Sequence, residues 1–330
     1  MKTEEFNKWL AALNHLTTRQ SRILQEKLNK RAQGKQVSNF LETPHQEIRC
    51  PHCHTSSFTR WGKRNDLQRY KCKKCHKTFN SLTDSPLARL RRKGHWMDYA
   101  HCIKEGLTIR QAAKACDIHP NTAFRWRHRF LTNTKEIKAP LLEGIVETNH
   151  MYLRKSEKGS RKLKRPARQR GDDNPSGRQK LENICVLVSR DRHKNTLDAL
   201  LNRLNTNALE QRLKEHLASD ILFCSDNRPL YRNFTKNHKI RHGYIHLAKG
   251  IEVKKDIVHI QNVSAYQHRF KRWILEHFRG VATKYLENYL GWLRELDEFN
   301  DQITPKTILL RAKKGGEYRS LPFTVTQPPS

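Results

Sequence analysis

Apolar positions change period several times along the chain, and each change marks an element. Residues 1 to about 31 place Phe6, Trp9, Leu10, Leu13 and Leu16, then Ile23, Leu24 and Leu28, at helical spacing. Thr17-Thr18-Arg19-Gln20 interrupts that spacing with residues suited to a new N-cap, which predicts two short helices. Residues 32–47 are polar and read as linker. Residues 58–63, 68–71 and 78–80 alternate as three short strands. Trp96, Tyr99, Ala100 and Ile103 mark a helix ending near Gly106, and Thr108 caps a second helix rich in small alanines. A turn at 117–121 precedes a third helix, 122–130, carrying Phe124, Trp126 and Phe130.

Beyond residue 140 the pattern is that of an α/β layer. A strand is expected at 143–147, and the continuous apolar run 184–188 predicts a strand buried on both faces. Helices are expected around 195–204 and 208–217. The run Ile221-Leu222-Phe223-Cys224 then stops at Ser225-Asp226-Asn227, a strand that delivers one carboxylate at its end. A further strand at 244–247 and helices from Val263 and over 283–296 complete the layer; the last thirty residues carry no strong pattern.

Charge alters this picture. The 330 residues carry 65 Lys plus Arg against 32 acids, a net +33 spread along the whole length. Such an excess favours a polyanion partner, DNA or RNA, because phosphate neutralisation dominates that binding. A basic ribosome-associated protein would share the charge. The first two helices suit a DNA-contacting or dimerising unit, or a simple packing pair. The segment 154–180 is too basic and polar to pack and reads as a long loop. No apolar run approaches the roughly 20 residues needed to span a membrane, and no signal peptide opens the chain. A reducing interior is expected, and four of the eight cysteines are scattered, which argues against a disulfide framework.

The other four are clustered. Cys50-Pro51-His52-Cys53 and Cys72-Lys73-Lys74-Cys75 stand 18 residues apart, the spacing of a four-cysteine zinc ribbon. All four positions on such a zinc are filled by protein, so its role is structural. His52, His54 and His76 are spare and suit the surface. Lys63 and Arg69, with their basic neighbours, make the ribbon a phosphate-contacting module. Residues 93–131 read as a helix-turn-helix, with Arg110, Arg125, Arg127, His128 and Arg129 placed to reach a groove or phosphates; an ordinary three-helix bundle is the plainer reading. Asp226 and Asn262, 36 positions later in His259-Ile260-Gln261-Asn262, offer oxygen ligands for a hard cation such as Mg2+. A turn residue and a helix cap account for the same two residues.

Zinc ribbon, helix-turn-helix and an α/β domain with separated acids resemble the bacterial insertion-sequence transposases related to the eukaryotic Merlin transposons. The resemblance covers roughly residues 45–296 and rests on Cys224-Ser225-Asp226, on 259–266 with Lys271-Arg272-Trp273, and on 280–292. It implies a ribonuclease-H-like fold with a mixed sheet, cutting and rejoining DNA at terminal inverted repeats through two Mg2+ ions. The implied layout is N-terminal helices and linker over 1–47, the ribbon over 48–82 and the helix-turn-helix over 90–134. The transposase domain with its basic loop follows over 140–296, and a tail over 297–330. It implies further a homodimer or larger assembly on DNA, Lys271 at the DNA, and work in a bacterial cytoplasm at the nucleoid.

The family's metal set is an Asp on the first strand, an Asp after the fourth, and Asn or Glu on a later helix. Asp226 matches the second and Asn262 the third. At the first, the family has Val-Glu, a variable residue, then Asp-Glu-Thr-Tyr, where this chain has Val146-Glu147-Thr148-Asn149-His150-Met151-Tyr152. Asn149 therefore stands where the first catalytic Asp belongs, leaving Asp226 as the one carboxylate of the three. Glu147 shares the strand face but lies about 6.6 Å back along it. His150 points to the other face and is a softer donor than Mg2+ prefers. The expectation is a transposase by family with cleavage severely impaired at Asn149. The alternative is a catalytically inactive, transposase-derived DNA-binding protein, a regulator or a decaying element.

Overall fold

In a computed structural model the chain is described over residues 2–42, 48–136, 138–139, 141–160, 162–163, 182–245, 253–254, 257–299 and 302–314. Most of the basic segment 154–180 and residues 246–247 of the expected strand lie outside the described residues.

Two helices open the chain, α1 (Thr3–Leu13) and α2 (Thr18–Glu42). Thr17 and Gln20 form a reciprocal cap at the start of α2, with Thr17 N donating to Gln20 Oε1 at 2.8 Å. No residue of α1 is buried. Helix α2 runs through the stretch expected as linker, because Val37 and Leu41 are buried and Gly34 meets Gly94 backbone to backbone. Val37, Phe40 and Leu41 do fall at helical spacing, but over a single turn in an otherwise polar stretch that signal is too short to extend the helix.

The ribbon is an antiparallel sheet of β1 (Phe58–Arg64), β2 (Leu67–Cys72) and β3 (Thr78–Phe79). Asn65 and Asp66 both adopt positive φ in the two-residue turn, as a primed hairpin turn requires. Phe58, Tyr70 and Phe79 pack as a small aromatic cluster with centroids 5.1 to 5.8 Å apart.

The next unit is α3 (Trp96–Lys104), α4 (Ile109–Ala115) and α5 (Pro120–Phe130). Thr108 and Gln111 cap α4, and Pro120 occupies the first turn of α5. Trp96, Tyr99, Trp126 and Phe130 meet mostly edge to face in its core.

The α/β layer is a five-stranded sheet. Its strands are β4 (Ile145–Arg154), β5 (Asn183–Asp191), β6 (Thr196–Leu201), β7 (Leu222–Asp226) and β8 (Arg241–Ile245). Their spatial order is β6-β5-β4-β7-β8, with β6, β5 and β4 antiparallel and β4, β7 and β8 parallel. Helices α6 (Thr206–Leu213) and α7 (Pro229–Asn237) cover the face carrying Val146, Leu187 and Phe223. A two-stranded ribbon, β9 (Val253–Lys254) and β10 (Val258–His259), leads into α8 (Gln261–Phe278). With α9 (Leu286–Phe299), α8 covers the face carrying Met151, Val186, Val188 and Cys224.

Residues 196–201 form a strand where a helix was expected. Leu197, Leu200, Leu201 and Leu204 fall at helical spacing, but the strand is buried on both faces and shows no alternation. The tail also holds structure: α10 (Pro305–Lys314) buries Ile308, Leu309, Leu310 and Ala312. It packs on α3, α5 and the turn Thr132–Glu136, and Arg311 pairs with Glu295. Among the described residues no helix is long and apolar enough to cross a membrane.

Candidate active site

Three elements converge on one end of the sheet. The parallel register pairs Ile145 with Leu222, Val146 with Phe223 and Glu147 with Cys224. Asn149 and Asp226 each lie two residues beyond the last paired positions, Glu147 and Cys224, towards the same end of these neighbouring strands. Period-two alternation puts Glu147, Asn149 and Asp226 on the face that α8 covers. Asn149 Nδ2 reaches Ser264 Oγ at 3.5 Å, and Glu147 Oε1 accepts from Asn262 Nδ2 at 2.8 Å. The structure thus gathers Asn149, Asp226, Asn262 and Glu147. His150 is elsewhere: its Nδ1 lies 2.9 Å from Tyr231 Oη on the opposite face, where burial holds its pKa below the usual histidine value.

Glu147, Asn149, Asp226 and Asn262 each already have a polar partner. Glu147, fully buried, also pairs with Arg192 NH1 at 2.8 Å and accepts from Val263 N at 3.0 Å. It caps the N-terminus of α8 from a neighbouring strand, where the unpaired amides favour a negative charge. His259 closes the cluster, 3.4 Å from Glu147 and 2.7 Å from Arg192. Asn149 Oδ1 accepts from the backbone N of His150 at 2.8 Å. Asp226, 8% exposed, takes Arg228 Nε on Oδ2 at 3.0 Å. Arg192 and Arg228 escaped the sequence reading. Arg228, two residues past Asp226 at a strand end, was the one with a local signal.

The four ribbon cysteines bring their sulfurs within 4.8 Å of one another and can hold a metal ion. Cys50 Sγ is 3.7 Å from Cys75 Sγ, and Cys53 Sγ is 3.5 Å from Cys72 Sγ. The two knuckles repeat each other: His54 N donates to Cys50 O and His76 N to Cys72 O, and both histidines have positive φ. The Cys75 backbone N–H facing Cys72 Sγ lowers that thiol to about 6.

The residues expected at DNA divide by exposure. Arg110, Arg125, Lys63 and Lys271 are exposed, and Arg69 is half-buried beside Thr78. Arg127 is fully buried: it donates to Leu107 O at 2.6 Å and lies over the Phe278 ring, which puts a groove or phosphate beyond its reach. Arg129 turns inward to Ala88 O at 3.0 Å. His128 stacks on Tyr285 at 3.5 Å, and burial drives its pKa down to about 4, so it carries no charge for a phosphate at neutral pH.

Comparison with known proteins gives two family matches. Residues 141–294 match an ISXO2-like transposase domain, and residues 87–136 a homeodomain-like domain. Over 248 residues the chain is 27% identical to an uncharacterized protein in transposable element ISH50 of Halobacterium salinarum, covering 74% of this chain and 83% of that one. Among solved structures, the Mos1 strand transfer complex aligns at 14% identity over 66% of this chain and 75% of that chain, with a TM-score of 0.29. A pre-cleavage Mos1 transpososome aligns at 11% identity over 65% and 78%, with a TM-score of 0.21.

Proposed function

The chain belongs to an insertion-sequence transposase family, and from that premise we propose that it binds DNA at the terminal inverted repeats of its own element while cleaving poorly. The single observation that carries the second half is Asn149, an amide two residues past the last β4–β7 pair, towards the strand end that carries Asp226. The strand order, three antiparallel then two parallel, supports a ribonuclease-H-like reading of the sheet.

The donor set does not fit two divalent cations. Asn149, Asp226 and Asn262 bring one negative charge between them, and Arg228 already neutralises it. Glu147 is spent on Arg192, Asn262 and the start of α8. What these residues do is hold the strand ends and α8 together through a charge-balanced polar cluster. DNA contact falls to the exposed Arg110 and Arg125 on the helix-turn-helix, to Lys63 and Arg69 on the ribbon, and to Lys271 on α8. At the ribbon we assign a structural zinc to Cys50, Cys53, Cys72 and Cys75. Their 3.5 and 3.7 Å sulfur separations are close to the edge, about 3.8 Å, of a tetrahedron with Zn–S bonds near 2.3 Å.

The test is cleavage of labelled DNA ends carrying whatever inverted repeats flank the gene, in Mg2+ and in Mn2+. Asn149→Asp is expected to cut, with the native chain about 10³-fold slower, equivalent to about 4 kcal/mol of barrier. Equal cutting by both would overturn the impaired reading. A second reading, an active enzyme using Glu147 in place of the missing Asp, draws on the 2.8 Å contact between Glu147 and Asn262. It requires that the native chain cut and that Glu147→Gln stop it.

A further inference from the structure

Between the ribbon and the helix-turn-helix lies a groove of about 1170 Å3. Its lining includes Arg64, Arg89, Arg91, Lys93 and Arg129 against one acid, Asp84. A second hollow of about 550 Å3 shares Arg64, Arg91 and Lys93 and continues past Arg31 and Arg92. A small-molecule site is typically a single concave pocket of about 300–1,000 Å3 with mostly apolar walls. This one is larger, elongated and cationic, which suits a polyanion chain.

The backbone beneath it is strained. Asp84, Arg89 and Arg92 all adopt positive φ (65°, 61° and 58°) within nine residues, the left-handed region that an L side chain enters only against steric repulsion. Such strain persists only where surrounding structure enforces it. Here buried Leu82 and Leu87 pin the segment to the core, and Arg129 braces it at Ala88 O. Lys93 Nζ donates to Asn65 O at 2.6 Å, which ties the ribbon hairpin to the segment and fixes the spacing of the two walls. Arg64, Arg89 and Arg91 are exposed and make no ion pair among the described residues. The fold spends strain on a scaffold whose free arginines face a common channel.

We propose that this channel is a further nucleic-acid surface: it grips the phosphate backbone of duplex DNA between the ribbon and the helix-turn-helix. The segment 84–93 is then a contact element rather than a spacer, and the two modules bear on one continuous stretch of duplex. This rests on the DNA-binding reading above and adds the path the DNA takes. Duplex is favoured over single strands because the channel's lining holds no Phe, Tyr or Trp, and one histidine, His52, is too few to make a run of platforms on which successive unpaired bases stack.

The experiment is binding of the full chain, metal-loaded, to a mixed-sequence duplex across a salt series. In the triple variant Arg64→Ala, Arg89→Ala, Arg91→Ala, each lost phosphate contact removes about 0.9 from the slope of log affinity against log salt. The slope is expected to fall by about 2.7, so the affinity lost between about 50 and 200 mM salt shrinks about 40-fold. The triple Arg→Lys variant keeps the native slope, which separates lost charge from lost folding. An unchanged slope in the alanine variant, with binding still weakened by Arg125→Ala, overturns the channel and leaves the DNA-binding reading standing. Tighter binding of single-stranded RNA than of duplex also overturns it. If the native chain binds no duplex, the parent reading fails first.

Discussion

Glu147 is a buried carboxylate whose contacts are structural: it holds the start of α8 to β4. It accepts from Asn262 Nδ2 and Val263 N and pairs with Arg192, all from the third position of its strand. Glu147→Ala removes at once the partner of the Asn262 amide, of a buried helix-terminal N–H and of the Arg192 guanidinium. We expect a loss of about 3–5 kcal/mol in urea unfolding, the range for removing one partner of a buried pair. A loss below about 1 kcal/mol would mean the cluster is already open to water. Sequence placed Glu147 on the correct strand face, because alternation is local. It could not show that the partner is a helix start 115 residues away, nor that Arg127, among exposed-looking arginines, turns inward to Leu107.

At the scale of elements, close approach decides several packings. Gly291 in α9 lies against Thr134, and a Cβ there would collide with the Thr134 carbonyl. In an open helix, Gly→Ala stabilises by about 1 kcal/mol; here Gly291→Ala is expected to have the opposite sign and destabilise by about 1–3 kcal/mol. A thermal melt reads the sign directly, and a rise in Tm would show that α9 and the turn are free to separate. The same contact explains why α10 was illegible. Its buried face is defined by α3, α5 and that turn, none of which its own ten residues reveal. Strand β6 was misread for a related reason: burial on both faces erases the period on which strand recognition depends.

Across the whole molecule the apolar core divides unequally. One cluster joins the helix-turn-helix to α8, α9 and α10, and a second fills the far face of the sheet. The ribbon keeps only Cys50, Cys72 and Phe79 buried in its own cluster, far too little to hold three strands without a metal. Chelation is therefore expected to expose residues 48–80 to protease and leave the main melting transition in place. It should also weaken duplex binding by removing one wall of the channel. Unaltered proteolysis of 48–80 after the metal is stripped would show that the cysteines do not depend on it.

The sequence by itself determined the cysteine spacing, the helix caps, the strand that ends in Asp226 and the amide rather than a carboxylate at Asn149. These are short-range properties of types and intervals, set by ligand geometry, capping and alternation. Only the tertiary structure decided which charges are free. Arg192 and Arg228 sit on carboxylates, Arg127 is enclosed, and Arg64, Arg89 and Arg91 line a channel. Whether a guanidinium meets solvent, a carbonyl or a carboxylate depends on elements far apart in the chain, and that is settled by packing.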